Sequence, residues 1–122
     1  MAYFEDLTSW TLAKKLTIKV YELMQESRDF GFKDQIQRAA VSIMNNIAEG
    51  SESGSTQLFI KYLYTAKGSC AEVRSMIYLC KDLNYCSEEF FNDMISQCKI
   101  ISASINNHIK YLENLKRQKE NL

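Results

Sequence analysis

The fold turns on one stretch, STQLFIKYLYTAKGSCAEVRSMIYLCKDL, residues 55–83. Phe59, Tyr62, Ala66, Ser69, Val73, Met76, Cys80 and Leu83 recur at alternating spacings of three and four. That is the seam of an α-helix packed in a bundle or coiled coil. Ser55 precedes the seam as a cap, its hydroxyl oxygen accepting from a free amide of the first turn. Ala66, Gly68 and Ser69 make the middle of the helix slender, so a neighbouring backbone can approach closely there. Asn84, Tyr85 and Cys86 turn the chain.

The same pattern extends in both directions. After the turn, Ser87 followed by Glu88 and Glu89 starts a further helix with good capping and dipole chemistry. Its seam is Phe91, Met94, Cys98, Ile101, Ile105, His108, Leu112 and Leu115. Before residue 55, Gly50-Ser51-Glu52-Ser53-Gly54 is the clearest break in the chain. Ahead of it, Ile36, Ala40, Ile43 and Ile47 mark a helix over about residues 32–49. Gly31 is the expected left-handed turn residue before that helix. Leu12, Leu16, Val20 and Leu23, flanked by Trp10 and Ala13, mark a first helix over about 6–27, capped by Asp6 or Thr8. With the later pair placed at about 55–83 and 87–119, residues 1–122 read as one all-α domain. The expected architecture is an antiparallel, up-and-down four-helix bundle, because short connections favour antiparallel neighbours. The last two helices span roughly 40–50 Å and the first two ~25–35 Å, so the long hairpin is expected to protrude.

Composition agrees. The 122 residues include no proline and only four glycines, and fifteen acidic side chains balance fifteen basic ones. A neutral chain lacks the basic excess of proteins that coat nucleic acid by neutralising phosphates. No secretory signal is visible at the start, and no apolar run approaches the ~20 residues that span a bilayer. The four cysteines include no Cys-x-x-Cys pair and there is one histidine, so no ordinary structural zinc site can be built. The thiols read as reduced and structural, and the protein as cytoplasmic, without membrane, metal or cofactor.

Few residues suggest chemistry. His108 lies on an apolar seam with no carboxylate three or four residues before it, so it reads as a packed histidine. The 50–54 loop lacks the lysine and the preceding strand of a phosphate loop. Arg38, Ser42, Asn45 and Glu49, with Gln35 and Asn46 beside them, share the side of the second helix away from its isoleucines. They read as a solvated face or as a polar network at a helix or subunit contact, with Arg38 free to pair with Glu49 or Glu72. Tyr64, Tyr78 and Tyr111 fall off the seams and suggest a second apolar face covered by another subunit.

The run Gln35-Ile36-Gln37-Arg38-Ala39-Ala40-Val41-Ser42-Ile43-Met44-Asn45-Asn46-Ile47-Ala48-Glu49-Gly50 resembles the signature of the bacterial four-helix bundle family encoded by intervening sequences of large-subunit ribosomal RNA genes. Phe4, Asp6, Leu7, Trp10, Phe59, Leu63, Ala66, Gly68, Ser69 and Glu72 extend the match over essentially the whole chain. The resemblance implies a left-handed bundle assembled as a ring-like homopentamer. It also implies kinship with the accessory variability determinants of diversity-generating retroelements, basic pentameric bundles that associate with a reverse transcriptase and nucleic acid. Gln37 and Ser51-Glu52-Ser53 stand where the family often carries basic residues, and Met44 where it often carries proline.

The expectation is therefore a non-enzymatic homo-oligomer, pentameric by resemblance, acting as an assembly or binding scaffold with no catalytic residue. Arg38, Ser42, Asn46, Glu49, Ser69 and Glu72 are its expected polar contacts. The alternative is a nucleic-acid-binding accessory protein, partnered by RNA or DNA, ribosomal RNA or a reverse transcriptase. It would use Lys14, Lys15, Lys19, Lys110, Lys116, Arg117 and Lys119.

Overall fold

A computed structural model describes residues 3–120. It contains a 3-10 turn over Phe4–Asp6 and four helices: α1 (Thr8–Met24), α2 (Phe30–Ser51), α3 (Thr56–Asp82) and α4 (Glu88–Glu120). Contacts join α1 to α2, α2 to α3, α3 to α4 and α4 back to α1, so the helices stand at the corners of a four-helix bundle. The α2–α3 pairings run in opposite directions: Gln35 meets Glu72, Ser42 meets Ser69, and Gly50 meets Phe59 and Tyr62. Between α4 and its neighbours, Lys19 meets Asp93 and Lys67 meets Asn106.

The ends follow local chemistry, with some departures from the sequence reading. Ser55 caps α3 by accepting from the Leu58 amide (3.2 Å), and Ser87 caps α4 by accepting from Phe90 (3.0 Å). Gly31 is not a turn residue. Asp29 accepts from the Phe32 amide at 3.2 Å, and this cap draws Gly31 into the first turn of α2. Neither Asp6 nor Thr8 caps α1: Leu7 holds that position and no side chain bonds there. The left-handed positions are instead Gly54 (φ 73°) and Asn84 (φ 59°), each turning the chain after a helix.

One core fills the bundle. Leu16 and Val20 of α1, Ile36, Ile43 and Ile47 of α2, and Ile101 and Ile105 of α4 are fully buried. On α3 the buried face is rotated from the expected seam. Leu63, Cys70 and Ile77 take core positions, Phe59, Tyr62 and Ser69 are half-buried at the rim, and Leu83 is exposed. On α4, Ile109 is buried in place of His108 and Leu115. On α1, Ala13, Thr17 and Met24 enter the core while Leu12 and Leu23 stop at its edge. Buried Thr17 shares its one hydroxyl proton between the Ala13 carbonyl at 2.8 Å and the Ala40 carbonyl at 3.2 Å, so its hydroxyl is satisfied while it joins α1 to α2.

The close approach expected at the slender middle of α3 occurs elsewhere. A Cβ at Gly68 would meet nothing within 4 Å. A Cβ at Gly50 would stand 2.8 Å from both Phe59 Cδ1 and Tyr62 Cβ. The last turn of α2 therefore rests directly on the first turns of α3.

Candidate assembly surface

Ser42, Asn46 and Ser69 form one cluster at the rim of the α2–α3 contact. The two serine hydroxyls lie 2.8 Å apart, and Asn46 Nδ2 donates to the Ser42 carbonyl (2.8 Å) and hydroxyl (3.0 Å). Because Asn46 occupies a lone pair of Ser42 Oγ, the Ser42 proton is free to point at Ser69. Two turns along, Gln35 Nε2 donates to Glu72 Oε2 at 3.3 Å. These bonds, with the Gly50 contact, hold α2 and α3 in register.

Arg38 and Glu49 stand outside this cluster. Arg38 Nε pairs with Asp34 Oδ2 at 2.9 Å, one turn back, with both side chains mostly exposed (79% and 64%). Its expected pairing with Glu49 fails for reach: eleven residues of helix separate the two by roughly 16 Å. Glu72 lies on the α3 flank and is taken by Gln35. Glu49 and Asn45 are exposed on α2, and the described residues record no hydrogen bond or ion pair for Glu49.

His108 stands edge-on to Phe59 (centroids 4.8 Å apart) and beside Tyr111. Burial lowers its pKa from the ordinary imidazole value, so it is neutral at pH 7. It lines a cleft of about 510 Å³ with Leu7, Gly50, Thr56, Phe59, Tyr111 and Lys119. That wall holds no carboxylate.

The lysines and arginine divide into two groups. On α1, Lys14 lies over the Trp10 ring (5.5 Å), Lys15 is exposed, and Lys19 is neutralised by Asp93 at 2.7 Å. On α4, Lys110, Arg117 and Lys119 are exposed, Lys116 is half-buried, and Arg117 donates to Asn114 at 2.9 Å. Since Lys19 is level with Asp93, Lys110 sits roughly 25 Å further along the bundle than Lys19 and roughly 18 Å further than Lys14. The two groups do not form one continuous basic stripe.

The outward face of α3 carries a second feature. Tyr64, Gly68, Ala71, Ser75 and Tyr78 are all exposed and recur at spacings of four, three, four and three. This is a second helix-packing seam, parallel to the buried one; α4 touches only its flank, where Tyr78 stands edge-on to Phe91 with centroids 5.2 Å apart. Tyr64 and Tyr78 are about half exposed (51% and 50%), with exposed Leu79 beside them. The two tyrosines stood out in the sequence. The small residues between them are what makes the stripe continuous, and only their shared spacing signalled it.

A profile of the family described as 23S rRNA-intervening sequence protein matches residues 5–107. The chain belongs to the 23S rRNA-intervening sequence protein family. The matched span of this family member contains the polar α2–α3 cluster and the whole exposed α3 stripe, and it ends before His108 and the basic last turns of α4. A crystal structure at 1.70 Å of a protein of unknown function from the S23 ribosomal protein family of Bacteroides thetaiotaomicron has the same fold. Its TM-score is 0.78 at 21% sequence identity, over 84% of this chain and 99% of that one. No curated protein matches the chain. Among the described residues no helix is long and apolar enough to cross a membrane.

Proposed function

We propose that this family member is a subunit of a cytoplasmic, non-enzymatic homo-oligomer, a ring of five chains, that serves as an assembly or binding scaffold. The observation that carries the reading is the exposed stripe on α3, Tyr64 to Tyr78, with the spacing of a buried seam and all five of its residues exposed. It runs roughly 21 Å along the helix, enough for one helix of a neighbour to lie against. Gly68, Ala71 and Ser75 let that neighbour's backbone come close, while the tyrosines supply apolar area with a hydroxyl at the rim. The number five comes from the family resemblance. Ser42, Asn46 and Ser69 act inside the subunit by fixing α2 against α3, and Glu49 and the Asp34-paired Arg38 are exposed on α2 for contacts between subunits.

Light scattering on a size-exclusion column tests this. A mass of five chains that falls to one in the doubly substituted Tyr64→Glu, Tyr78→Glu chain, with helicity intact, supports the reading. A wild-type mass of one chain at micromolar concentration refutes it.

A second reading, binding of RNA or DNA, is favoured by Lys110, Arg117 and Lys119 exposed on the last turns of α4, which end level with the α2–α3 connection. Binding of a structured RNA that weakens steeply with salt and is lost when these three are replaced by glutamine would establish it. No binding at low salt would remove it.

A further inference from the structure

All four cysteines lie on the α3–α4 hairpin, and two of them face each other across it. Cys70 Sγ donates to the Cys98 carbonyl at 3.2 Å, and both side chains are buried. They are not sealed in. A notch of about 20 Å³ reaches them, lined by Cys70, Ala71, Arg74, Cys98 and Ser102. Ala71 is exposed and Arg74 and Ser102 are half-exposed, so the notch opens to solvent. That volume holds about one water-sized molecule. Hydrogen peroxide is among the few oxidants small enough to enter. We propose that Cys70 and Cys98 are a peroxide-sensitive dithiol, oxidised to a disulfide that clamps α3 to α4.

The two thiols have different chemistry. The neighbouring Cys98 thiol, the Arg74 guanidinium and the Ser102 backbone favour the Cys70 thiolate against the opposing effect of burial, and lower its pKa from the ordinary thiol value. The contact with Cys70, followed by burial, pushes Cys98 strongly up. The Cys98 carbonyl accepts from protonated Cys70, so the resting state is a dithiol and the Cys70 thiolate is its minor, reactive form. Arg74 lies one helical turn from Cys70 and lines the same notch, so Cys70 is assigned as the attacking sulfur and Cys98 as the resolving one.

The steps balance. The Cys70 thiolate attacks one peroxide oxygen: the S–O bond forms, the O–O bond breaks, and the departing hydroxide takes a proton from solvent to leave as water. Cys70 is now a sulfenic acid and the peroxide has been reduced. The Cys98 sulfur then attacks the Cys70 sulfur, the S–S bond forms, the S–O bond breaks, and hydroxide leaves with the Cys98 proton as a second water. The other two cysteines are built differently. Burial, with a hydrogen bond to Cys86, pushes Cys80 up to about 12, and no cation is among the groups acting on it.

The test is peptide mapping of the full-length protein after treatment with hydrogen peroxide and alkylation in denaturant. The expected product is an intrachain Cys70–Cys98 crosslink, with the chain lighter by two hydrogen masses and reducible by dithiothreitol. Cys98→Ser should stop at a sulfenic acid on Cys70, trapped by dimedone. Arg74→Gln should slow formation of the crosslink several-fold at pH 7, because it removes a cation that favours the Cys70 thiolate, without changing the oxidation rate of Cys86. The crosslink in unsubstituted protein does not depend on any variant folding. Oxidation confined to Cys86, or Cys70 and Cys98 recovered as free thiols while Cys86 is consumed, would overturn the proposal.

Discussion

Alanine at Gly50 and alanine at Gly68 are the same chemical change in two helices, and the structure gives them opposite signs. At Gly68 the added methyl meets nothing within 4 Å. The effect there is the helix-propensity gain of alanine over glycine in a helix interior, about 0.8–1 kcal/mol. At Gly50, one residue before the end of α2, only part of that gain is available. The methyl would stand 2.8 Å from Phe59 Cδ1 and Tyr62 Cβ. The Phe59 ring has limited freedom because it already packs edge-on to His108 at 4.8 Å. Tyr62 Cβ is fixed to the α3 backbone and cannot swing away. To restore a carbon–carbon distance of about 3.5 Å, α2 and α3 must part by roughly 0.7 Å at this end. Overpacking of this kind costs about 1–3 kcal/mol, so the net destabilisation is about 1–2 kcal/mol. For a chain of this length 1 kcal/mol shifts the melting temperature by about 4 °C. Circular dichroism should therefore place Gly50→Ala about 4–8 °C below the wild type and Gly68→Ala about 3–4 °C above it. Urea melts at two chain concentrations separate folding from assembly, since Gly68 also lies on the exposed stripe. A Gly50→Ala chain that melts at or above the wild type would refute the close approach and the register built on it.

Other outcomes follow from the same geometry. Ser42→Ala and Ser69→Ala should each cost about 1 kcal/mol, and the double variant less than their sum, because either change removes the shared hydrogen bond; additivity in urea melts would show that the hydroxyls act independently. Glu49→Ala should leave the subunit's melting temperature within about 2 °C, since Glu49 is exposed and unbonded among the described residues, and any effect on particle mass would place it between subunits. Thr17→Val should cost about 0.5–1.5 kcal/mol by removing a buried hydroxyl that joins α1 to α2, read from the urea midpoint. His108 has a folded pKa below its unfolded value, so the unfolded chain binds the proton more readily. Stability should fall as pH drops below about 6.5 toward the folded value, and His108→Leu should flatten that part of the pH–stability curve.

Element types and their order were readable because glycine, capping residues and apolar spacing all change together at residues 50–55 and 84–87. Rotation about the helix axis was harder. On α3 two apolar stripes lie side by side and share Ala66, Val73 and Cys80, one continuing through Tyr62 and Ser69 and the other through Leu63 and Cys70. Periodicity alone does not separate them. Packing against α2 and α4 together chooses the second stripe and leaves Ser69 at the rim, where its hydroxyl reaches Ser42. The polar cluster was legible only in part for a similar reason. Ser42 and Asn46 share the flank facing α3, whereas Arg38 and Glu49 point roughly 50° further round the helix, a difference that no spacing rule assigns to a neighbour before that neighbour is placed. Asp29 displaced Gly31 as the boundary of α2 because a carboxylate cap forms wherever its geometry permits, with no left-handed residue required.

The unequal packing of the four helices also sets the order in which the bundle comes apart. α2 and α3 share the Gly50 contact and the serine–asparagine cluster, and α3 and α4 form the long hairpin. α1 meets α4 much more sparsely, with the half-exposed Lys19–Asp93 pair as their recorded polar tie. Partial opening should therefore begin at α1, and hydrogen exchange should find its amides less protected than those of α2 and α3, which need the whole chain to unfold.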